Sequence, residues 1–231
     1  MKFQKYLSEW EILLEGVYDP SIFKAIFLAG GPGSGKSFVA GQTTPGHGLK
    51  MVSSDVLFEK LAKEAGISLD KMSFTGPDVE KRNQVRDRAK EITGRQMDTF
   101  IKGRLGVVVD GTGKNFDRIK TQMEKVQKLG YDTYMVFVNT TLDVAVERNE
   151  KRKRTLPKDF VVSSWKNVQN NMGKFQKAFG AKNFLIVDNS EYKTDIFPSV
   201  WKSVMKFVKK PVDNAIAQEW IKTALEMRKK K

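Results

Sequence analysis

The chain has 231 residues, of which 40% are hydrophobic and none is cysteine. This composition supports one substantial core but not two large domains, and it excludes disulfides and thiolate metal sites. The 41 Lys and Arg residues outnumber the 27 Asp and Glu residues, and the formal charge of +14 favours anionic partners. Because no apolar run approaches the ~18 residues of a membrane span, we expect a soluble, cytoplasmic protein without a membrane partner.

The two ends of the chain differ from its middle. Residues 2–15 predict a short amphipathic helix, because large apolar side chains recur there at helical spacing before Gly16 and Asp19-Pro20 end the pattern. We expect a core over residues 17–192, preceded by the helix of residues 1–16 and followed by a basic helical extension over residues 193–231. The extension is a candidate contact for nucleic-acid phosphates, and the alternative is a solvated helical face.

Strands and helices alternate through the middle of the chain. The patterns predict strands at 24–29, 49–54, 105–109, 132–138 and 184–187, and helices from 36 and at 56–66, 78–102, 114–129, 141–150 and 158–179. The strands read as continuous apolar runs, which is typical of strands buried on both faces. The sequence therefore predicts an α/β fold with a five-stranded, mostly parallel sheet and helices on both faces. Ligands of such sheets bind at the carboxyl ends of the strands.

A phosphate-binding loop follows the first strand. Residues 30–37 read G-G-P-G-S-G-K-S between that strand and a helix, which is the arrangement of the P-loop NTPase fold. Its backbone N–H groups would bind ATP, the Lys36 side chain would reach the β- and γ-phosphates, and the Ser37 hydroxyl would hold Mg²⁺. The predicted nucleotide contacts are Gly30, Gly31, Pro32, Gly33, Ser34, Gly35, Lys36, Ser37 and Phe38.

Two carboxylates follow the next two strands. Asp55 is the candidate general base for a hydroxyl acceptor, and the alternative is an N-cap for a helix starting at Val56. Asp110 has the position of a Mg²⁺-holding carboxylate, and Thr112 beside it is a candidate acceptor contact. A purely structural loop is the alternative for this second segment.

Arginines complete the predicted site. Residues 148–154 carry five positive charges at the end of a helix, and we expect them to form a basic lid in which Arg148 and Arg152 share one helical face. The alternatives are a nucleic-acid patch and a solvated run. Arg86, on the helix over 78–102, is a candidate acceptor contact or a solvated charge. Asp188 and Asn189, after the last strand, are candidate neighbours of the adenine.

The stretch from about residue 22 to 189 resembles P-loop kinases of the polynucleotide 5′-hydroxyl kinase and zeta-toxin group. The most specific similarity is Arg148-Asn149-x-x-Arg152 followed by a helix with Trp165. The resemblance implies that Lys36, Asp55, Arg148 and Arg152 are catalytic. The segment after Asp55 lacks the arginine that polynucleotide kinases use near the acceptor phosphate. The 110–112 segment also resembles zeta-toxin kinases, which phosphorylate UDP-N-acetylglucosamine.

The N-terminus has a second resemblance. Met-Lys-Phe-x-x-Tyr-Leu-x-Glu is similar to the capsid-targeting peptides of internal head proteins in large tailed phages, and residues 13–16 are similar to the sites that their prohead proteases cut. The resemblance implies a phage-encoded protein in which residues 1–15 bind the capsid and direct packaging into the virion. The alternative is a docking helix.

Two functions remain open from the sequence. The first is an ATP- and Mg²⁺-dependent phosphotransferase that acts on a polynucleotide 5′-hydroxyl or on a nucleotide-sugar. The second is a nucleotide-gated ATPase, or a nucleic-acid or capsid-binding module, that phosphorylates no acceptor. Steep loss of nucleic-acid affinity with salt would favour the binding module.

Overall fold

The computed structural model describes residues 16–43, 48–69, 78–152, 154–191 and 196–229. The strands in this part of the chain are β1 (Lys24–Ala29), β2 (Lys50–Val52), β3 (Val107–Asp110), β4 (Asp132–Asn139) and β5 (Phe184–Asp188). The helices are α1 (Lys36–Thr43), α2 (Ser54–Glu64), α3 (Val79–Lys102), α4 (Phe116–Gln127), α5 (Leu142–Glu150), α6 (Lys158–Phe179), α7 (Ile196–Lys209) and α8 (Ala215–Lys229), with a 3₁₀ turn at Ala181–Asn183.

The five strands form one parallel sheet in the order β2-β3-β1-β4-β5. Every residue of the central strand β1 is buried, as its continuous apolar sequence predicted. Strand ends differ from the prediction by at most two residues. The predicted α/β P-loop NTPase fold is therefore confirmed.

Helices cover both faces of the sheet. One face packs against α4 and α6 through a cluster that includes Phe27, Met123 and Phe175. The other face packs against α1 and α7 through Ile26, Val39 and Val204. A smaller cluster, built on Phe58 and Ala89, joins α2 to α3 beside the sheet. The sheet and these helices hold the carboxyl ends of β1, β2 and β3 around one cleft.

The C-terminal helices contribute to both clusters. Val200, Val204 and Val208 of α7 are buried on one face of the sheet. On the other face, the Trp220 ring of α8 packs edge-on against the buried Phe23, with ring centroids 5.5 Å apart. The division into a core and two terminal segments stays a prediction, and the predicted capsid-binding residues 1–15 lie outside the described residues. None of the described helices is long and apolar enough to cross a membrane.

A buried ion pair joins β1, β4 and α8. The Lys24 ammonium, 1% exposed, lies 2.8 Å from the Asp132 carboxylate, which also accepts hydrogen bonds from the backbone N–H groups of Asp213 and Asn214. Burial lowers the pKa of Lys24, and the Asp132 carboxylate opposes that shift. One carboxylate thus serves both a buried cation and the N-terminus of α8.

Candidate active site

The P-loop is folded tightly against its neighbours. Gly33 and Gly35 have positive φ angles of 78° and 79°, which favour glycine. A Cβ atom on Gly33 would lie 2.1 Å from the carbonyl oxygen of Ala145, and one on Gly35 would lie 2.3 Å from Asn189 Nδ2. The loop therefore requires glycine at both positions. It leads directly into α1, whose first residue is Lys36.

The P-loop contains polar donors suited to an anion. The Ser34 hydroxyl is buried and makes no hydrogen bond with the described residues. The Lys36 side chain, 9% exposed, forms an ion pair with Asp110 across the cleft. An unpartnered hydroxyl, a desolvated ammonium and a helix N-terminus together fit a phosphate group. A bound phosphate would compete with Asp110 for Lys36.

A serine that the sequence analysis missed joins Asp110 to α2. Ser53 Oγ donates to Asp110 Oδ2 at 2.8 Å, and it accepts the backbone N–H of Val56. Ser53 is therefore the N-cap of α2, and the alternative that Asp55 caps this helix is wrong. The sequence Ser53-Ser54-Asp55 carries this signal, because serine is as favourable an N-cap as aspartate.

Asp55 lies in the first turn of α2 and faces two guanidinium groups. Its carboxylate is 49% exposed, and its Oδ1 atom lies 4.0 Å from Arg86 Nη1 and 3.6 Å from Arg154 Nη2. Both guanidinium groups also lie beside the buried Phe58 ring, at 4.3 Å for Arg86 and 5.3 Å for Arg154. Burial and the Arg154 charge lower the pKa of Arg86, whereas Asp55 raises it. The sequence predicted Arg86 here but not Arg154.

The predicted lid is a loop rather than a helical face. Helix α5 ends at Glu150, so Arg148 is helical and Arg152 is not. The prediction that the two arginines share one helical face is therefore wrong. The physical reason is Asn149, which is 2% exposed and exchanges hydrogen bonds of 2.8 and 3.1 Å with the carbonyl and N–H of Leu156. These two bonds form a ring between Asn149 and Leu156, and we call the chain from Asn149 to Leu156 the lid loop.

Arg148 connects the lid loop to the P-loop through Asn189. Its guanidinium donates to the Asn189 carbonyl at 2.7 Å, and the Asn189 side chain donates to the Ser34 carbonyl at 2.8 Å. Asn189, considered from the sequence as a neighbour of the adenine, thus bridges the P-loop and α5. Its position directly after the last strand was the only signal for this role.

These elements surround a cleft of about 800 Å³. Every predicted phosphate, metal and acceptor contact lines it except Ser34, whose side chain is buried; the candidate adenine neighbour Asn189 is also buried and does not line it. Thr112 lies at its wall, where its carbonyl accepts the Gly30 N–H. The Phe38 ring packs edge-on against Phe197 at the rim. Of the described lining residues, nine are basic and two, Asp55 and Asp110, are acidic, so the cleft suits polyanions.

The residues fit a Mg²⁺ ion that is shared with a nucleotide. The described residues contain no group of three or more His, Cys, Asp or Glu side chains that would hold a metal. Ser37, the residue after Lys36, and Asp110, the ion-pair partner of Lys36, nevertheless both line the cleft. A hydroxyl and a carboxylate are hard oxygen ligands, and Mg²⁺ commonly takes few protein ligands when substrate phosphates complete its coordination.

Several curated proteins are similar to this chain. A cytidylate kinase from Methanopyrus kandleri is 26% identical over 133 residues, which is 58% of this chain and 64% of that protein. A cytidylate kinase from Ignicoccus hospitalis is 36% identical over 84 residues, which is 35% of this chain and 47% of that protein. The chain therefore spans about half to two thirds of these relatives.

Solved structures share the fold at low sequence identity. The AvrRxo1-ORF1:-ORF2 complex with ATP has a TM-score of 0.56 at 17% identity, covering 79% of this chain and 63% of that chain. The PezAT toxin-antitoxin system of Streptococcus pneumoniae gives 0.52 at 14%, covering 90% and 100%. The Pnkp1/Rnl/Hen1 RNA repair complex gives 0.51 at 19%, covering 66% and 46%.

A protein-family model matches most of the described core. The family described as AAA domain (AAA_33) matches residues 26–175, which span β1 through most of α6 and contain the P-loop, Asp55, Asp110 and the lid loop. The chain therefore belongs to the AAA domain family, and its fold is that of a P-loop kinase.

Proposed function

We propose that the protein is an ATP- and Mg²⁺-dependent phosphotransferase that moves the γ-phosphoryl group to a hydroxyl acceptor. The observation that carries this proposal is the single cleft that both Lys36 and Asp55 line. A phosphate binder and a carboxylate that can accept a proton are the two groups that such a transfer needs from the protein.

In this proposal each residue of the cleft has a separate role in the reaction. Lys36, the P-loop N–H groups, Arg148 and Arg152 bind the phosphates and stabilise the charge of the transition state. Ser37 and Asp110 would hold Mg²⁺, which would supply positive charge against the phosphates. Asp55 accepts the proton of the acceptor hydroxyl while the oxygen of that hydroxyl bonds to the γ-phosphorus. The bond from that phosphorus to the bridging oxygen breaks, and ADP leaves with the electron pair.

The acceptor in this proposal is a polynucleotide 5′-hydroxyl or a nucleotide-sugar. The cleft has nine basic side chains, and ATP would contact only those near the P-loop. The remaining basic side chains support an acceptor that already carries phosphate. Arg86, beside Asp55, would contact such a group, and Thr112 would contact the acceptor near the P-loop. The RNA repair and toxin-antitoxin complexes share the fold, which is compatible with both acceptor classes and favours neither.

Radiolabel transfer tests the proposal. Wild-type protein with γ-³²P-ATP and Mg²⁺ should label either a 5′-hydroxyl oligonucleotide or UDP-N-acetylglucosamine. Asp55→Asn should retain ATP binding but lose at least about 100-fold in transfer, because the proton acceptor is gone. Lys36→Ala should lose transfer and bind ATP weakly.

A matched control separates this effect from general damage. Asp117→Asn makes the same change in the first turn of α4, at a residue that does not line the cleft, and should leave transfer unchanged. Release of free phosphate with neither acceptor labelled would instead favour the nucleotide-gated ATPase. Full transfer by Asp55→Asn would remove Asp55 as the base.

A further inference from the structure

Helix α8 lines a surface groove of about 400 Å³, together with the segment just before the helix. The apolar side chains of this groove are Val212, Ile221 and Leu225, and the exposed Lys222 and Lys229 line it as well. Ile221, Leu225 and Lys229 are four positions apart and therefore follow one side of the helix. We call this surface the α8 groove. Apolar side chains beside exposed lysines suit an amphipathic helix that carries carboxylates.

The described residues begin beside the last turn of α8. The ring centroid of Tyr18 lies 4.7 Å from the guanidinium carbon of Arg228, the residue before the groove residue Lys229. Residues 1–15, which lie outside the described residues, therefore join the chain near one end of the α8 groove. As a helix, residues 2–15 would span about 21 Å, whereas Ile221 and Lys229 are about 12 Å apart along α8. The segment is long enough to cover the groove.

The sequence of residues 2–15 complements the α8 groove. A helix would carry its large apolar side chains on one side, because they recur three and four positions apart: Phe3, Tyr6, Leu7, Trp10, Leu13 and Leu14. Such a face is stable in water only when another element covers it. The half of the segment next to Gly16, residues 9–15, contains three glutamates and no basic residue. It would meet the end of α8, where Arg228 and Lys229 follow the single carboxylate of Glu226.

We propose that residues 2–15 form an amphipathic helix that docks its apolar face into the α8 groove, so that the two terminal segments of the chain bind each other. The proposal does not depend on the reaction in the cleft, because α8 packs on Phe23 and the groove does not share its lining with the cleft. Docking would also compete with the expected capsid contact, since one apolar face cannot be buried twice.

Crosslinking between introduced cysteines tests the contact, because the chain has no cysteine of its own. Leu14→Cys combined with Leu225→Cys should give an intramolecular crosslink with a short bismaleimide, seen as a faster-migrating monomer in denaturing gels. Leu14→Cys combined with Val56→Cys is the control. Val56 is 65% exposed and follows the carboxyl end of β2, whereas α8 packs on Phe23 at the amino end of β1. The control pair should react at least about tenfold more slowly.

Cleavage by chymotrypsin after Tyr6 or Trp10 gives an independent measurement, because docking would bury both side chains. Leu225→Asp places a carboxylate among the apolar side chains of the groove and should speed this cleavage about tenfold. Met227→Asp is the matched control, since Met227 lies on the same helix, is 49% exposed and does not line the groove. Lys222→Glu, at an exposed position, should give a smaller increase because it repels the glutamates of the segment.

Three results would overturn the proposal. A crosslink found only between two chains would assign the α8 groove to a second copy of the protein. Equal crosslinking of the Leu225→Cys and Val56→Cys pairs, or no crosslinking of either pair, would show that the segment does not occupy the groove. Equal chymotrypsin cleavage of the wild type, Leu225→Asp and Lys222→Glu would show the same by the second measurement.

Discussion

Asn149 shows how one buried amide shapes the site. Its side chain pairs with both backbone groups of Leu156, as a neighbouring strand would. Asparagine is suited to this task because its amide offers a donor and an acceptor side by side. The positions of Arg152 and Arg154 therefore depend on a residue that does not line the cleft.

We expect Asn149→Asp to loosen the lid loop without unfolding the protein. The carboxylate can still accept the Leu156 N–H, but it cannot donate to the Leu156 carbonyl, and this loss costs about 1–3 kcal/mol. Trypsin cleavage after Arg152 or Arg154 should become about tenfold faster.

Asn170→Asp, at an exposed position of α6, is the matched control and should not change the cleavage rate. Equal cleavage of wild type and Asn149→Asp would show that the ring does not restrain the loop.

Single residues were predicted well where a local pattern carries the chemistry. The P-loop is contiguous, so its spacing alone predicted Lys36 and Ser37 in the cleft. Arg154 was missed because its partners Asp55 and Glu59 lie about 95 positions away in the chain. Nothing within residues 148–154 distinguishes the arginine that crosses the cleft from the charges that face solvent.

At the scale of elements, the start of α2 is the junction between the two carboxylates of the site. Ser53 caps the helix that carries Asp55 and also donates to Asp110. We expect Ser53→Ala to cost about 1 kcal/mol through the lost cap, which would lower Tm by about 2–4 °C for a chain of this size.

Transfer should fall as well in Ser53→Ala, because Asp110 loses a hydrogen bond. Ser54→Ala, one residue further along, keeps the cap and is the control; thermal melts and transfer assays of both variants make the comparison. A Tm loss in Ser54→Ala equal to that of Ser53→Ala would contradict the assignment of the cap.

The buried Lys24–Asp132 ion pair links β1, β4 and α8, and its removal should lower the stability of the fold. Lys24→Met should destabilise the fold by about 3–5 kcal/mol, because it leaves a nearly buried carboxylate without its cation. Lys24→Met combined with Asp132→Asn should cost clearly less than the sum of the single changes, since the amide oxygen can still accept the N–H groups that begin α8. Denaturant unfolding of the four proteins measures the coupling, and strict additivity would contradict it.

Element boundaries followed closely from the sequence because each buried strand is a continuous apolar run. The end of α5 did not follow from the sequence, since the basic residues over 148–154 are compatible with a longer helix. The ring between Asn149 and Leu156 ends that helix by a contact over seven positions, which periodicity does not report.

At the scale of the whole molecule, the basic C-terminal helices are part of the packing. Trp220 contacts Phe23 and lies under the Arg104 guanidinium. We expect Trp220→Ala to cost about 3 kcal/mol of unfolding free energy, whereas Trp201→Ala, at a ring that is 38% exposed, should cost much less. Denaturant melts of the two variants make the comparison.

Equal effects of the two tryptophan changes would support an extension that packs independently of the core. The sequence predicted helices in this region but not their partners, because net charge reports the exposed face of a helix and not its buried one.

The order of the strands has a consequence for how such a protein changes. Strand β2 lies at one edge of the sheet, and α2 and α3 follow it before the chain returns to β3. This excursion supplies Asp55, Phe58 and Arg86, while the P-loop follows β1, Arg148 follows β4 and Asn189 follows β5. Exchanging the excursion alone would replace the wall that the proposed function assigns to the acceptor and keep the segments that it assigns to ATP. If the proposed function holds, a new acceptor could therefore be acquired by substituting one contiguous stretch of gene.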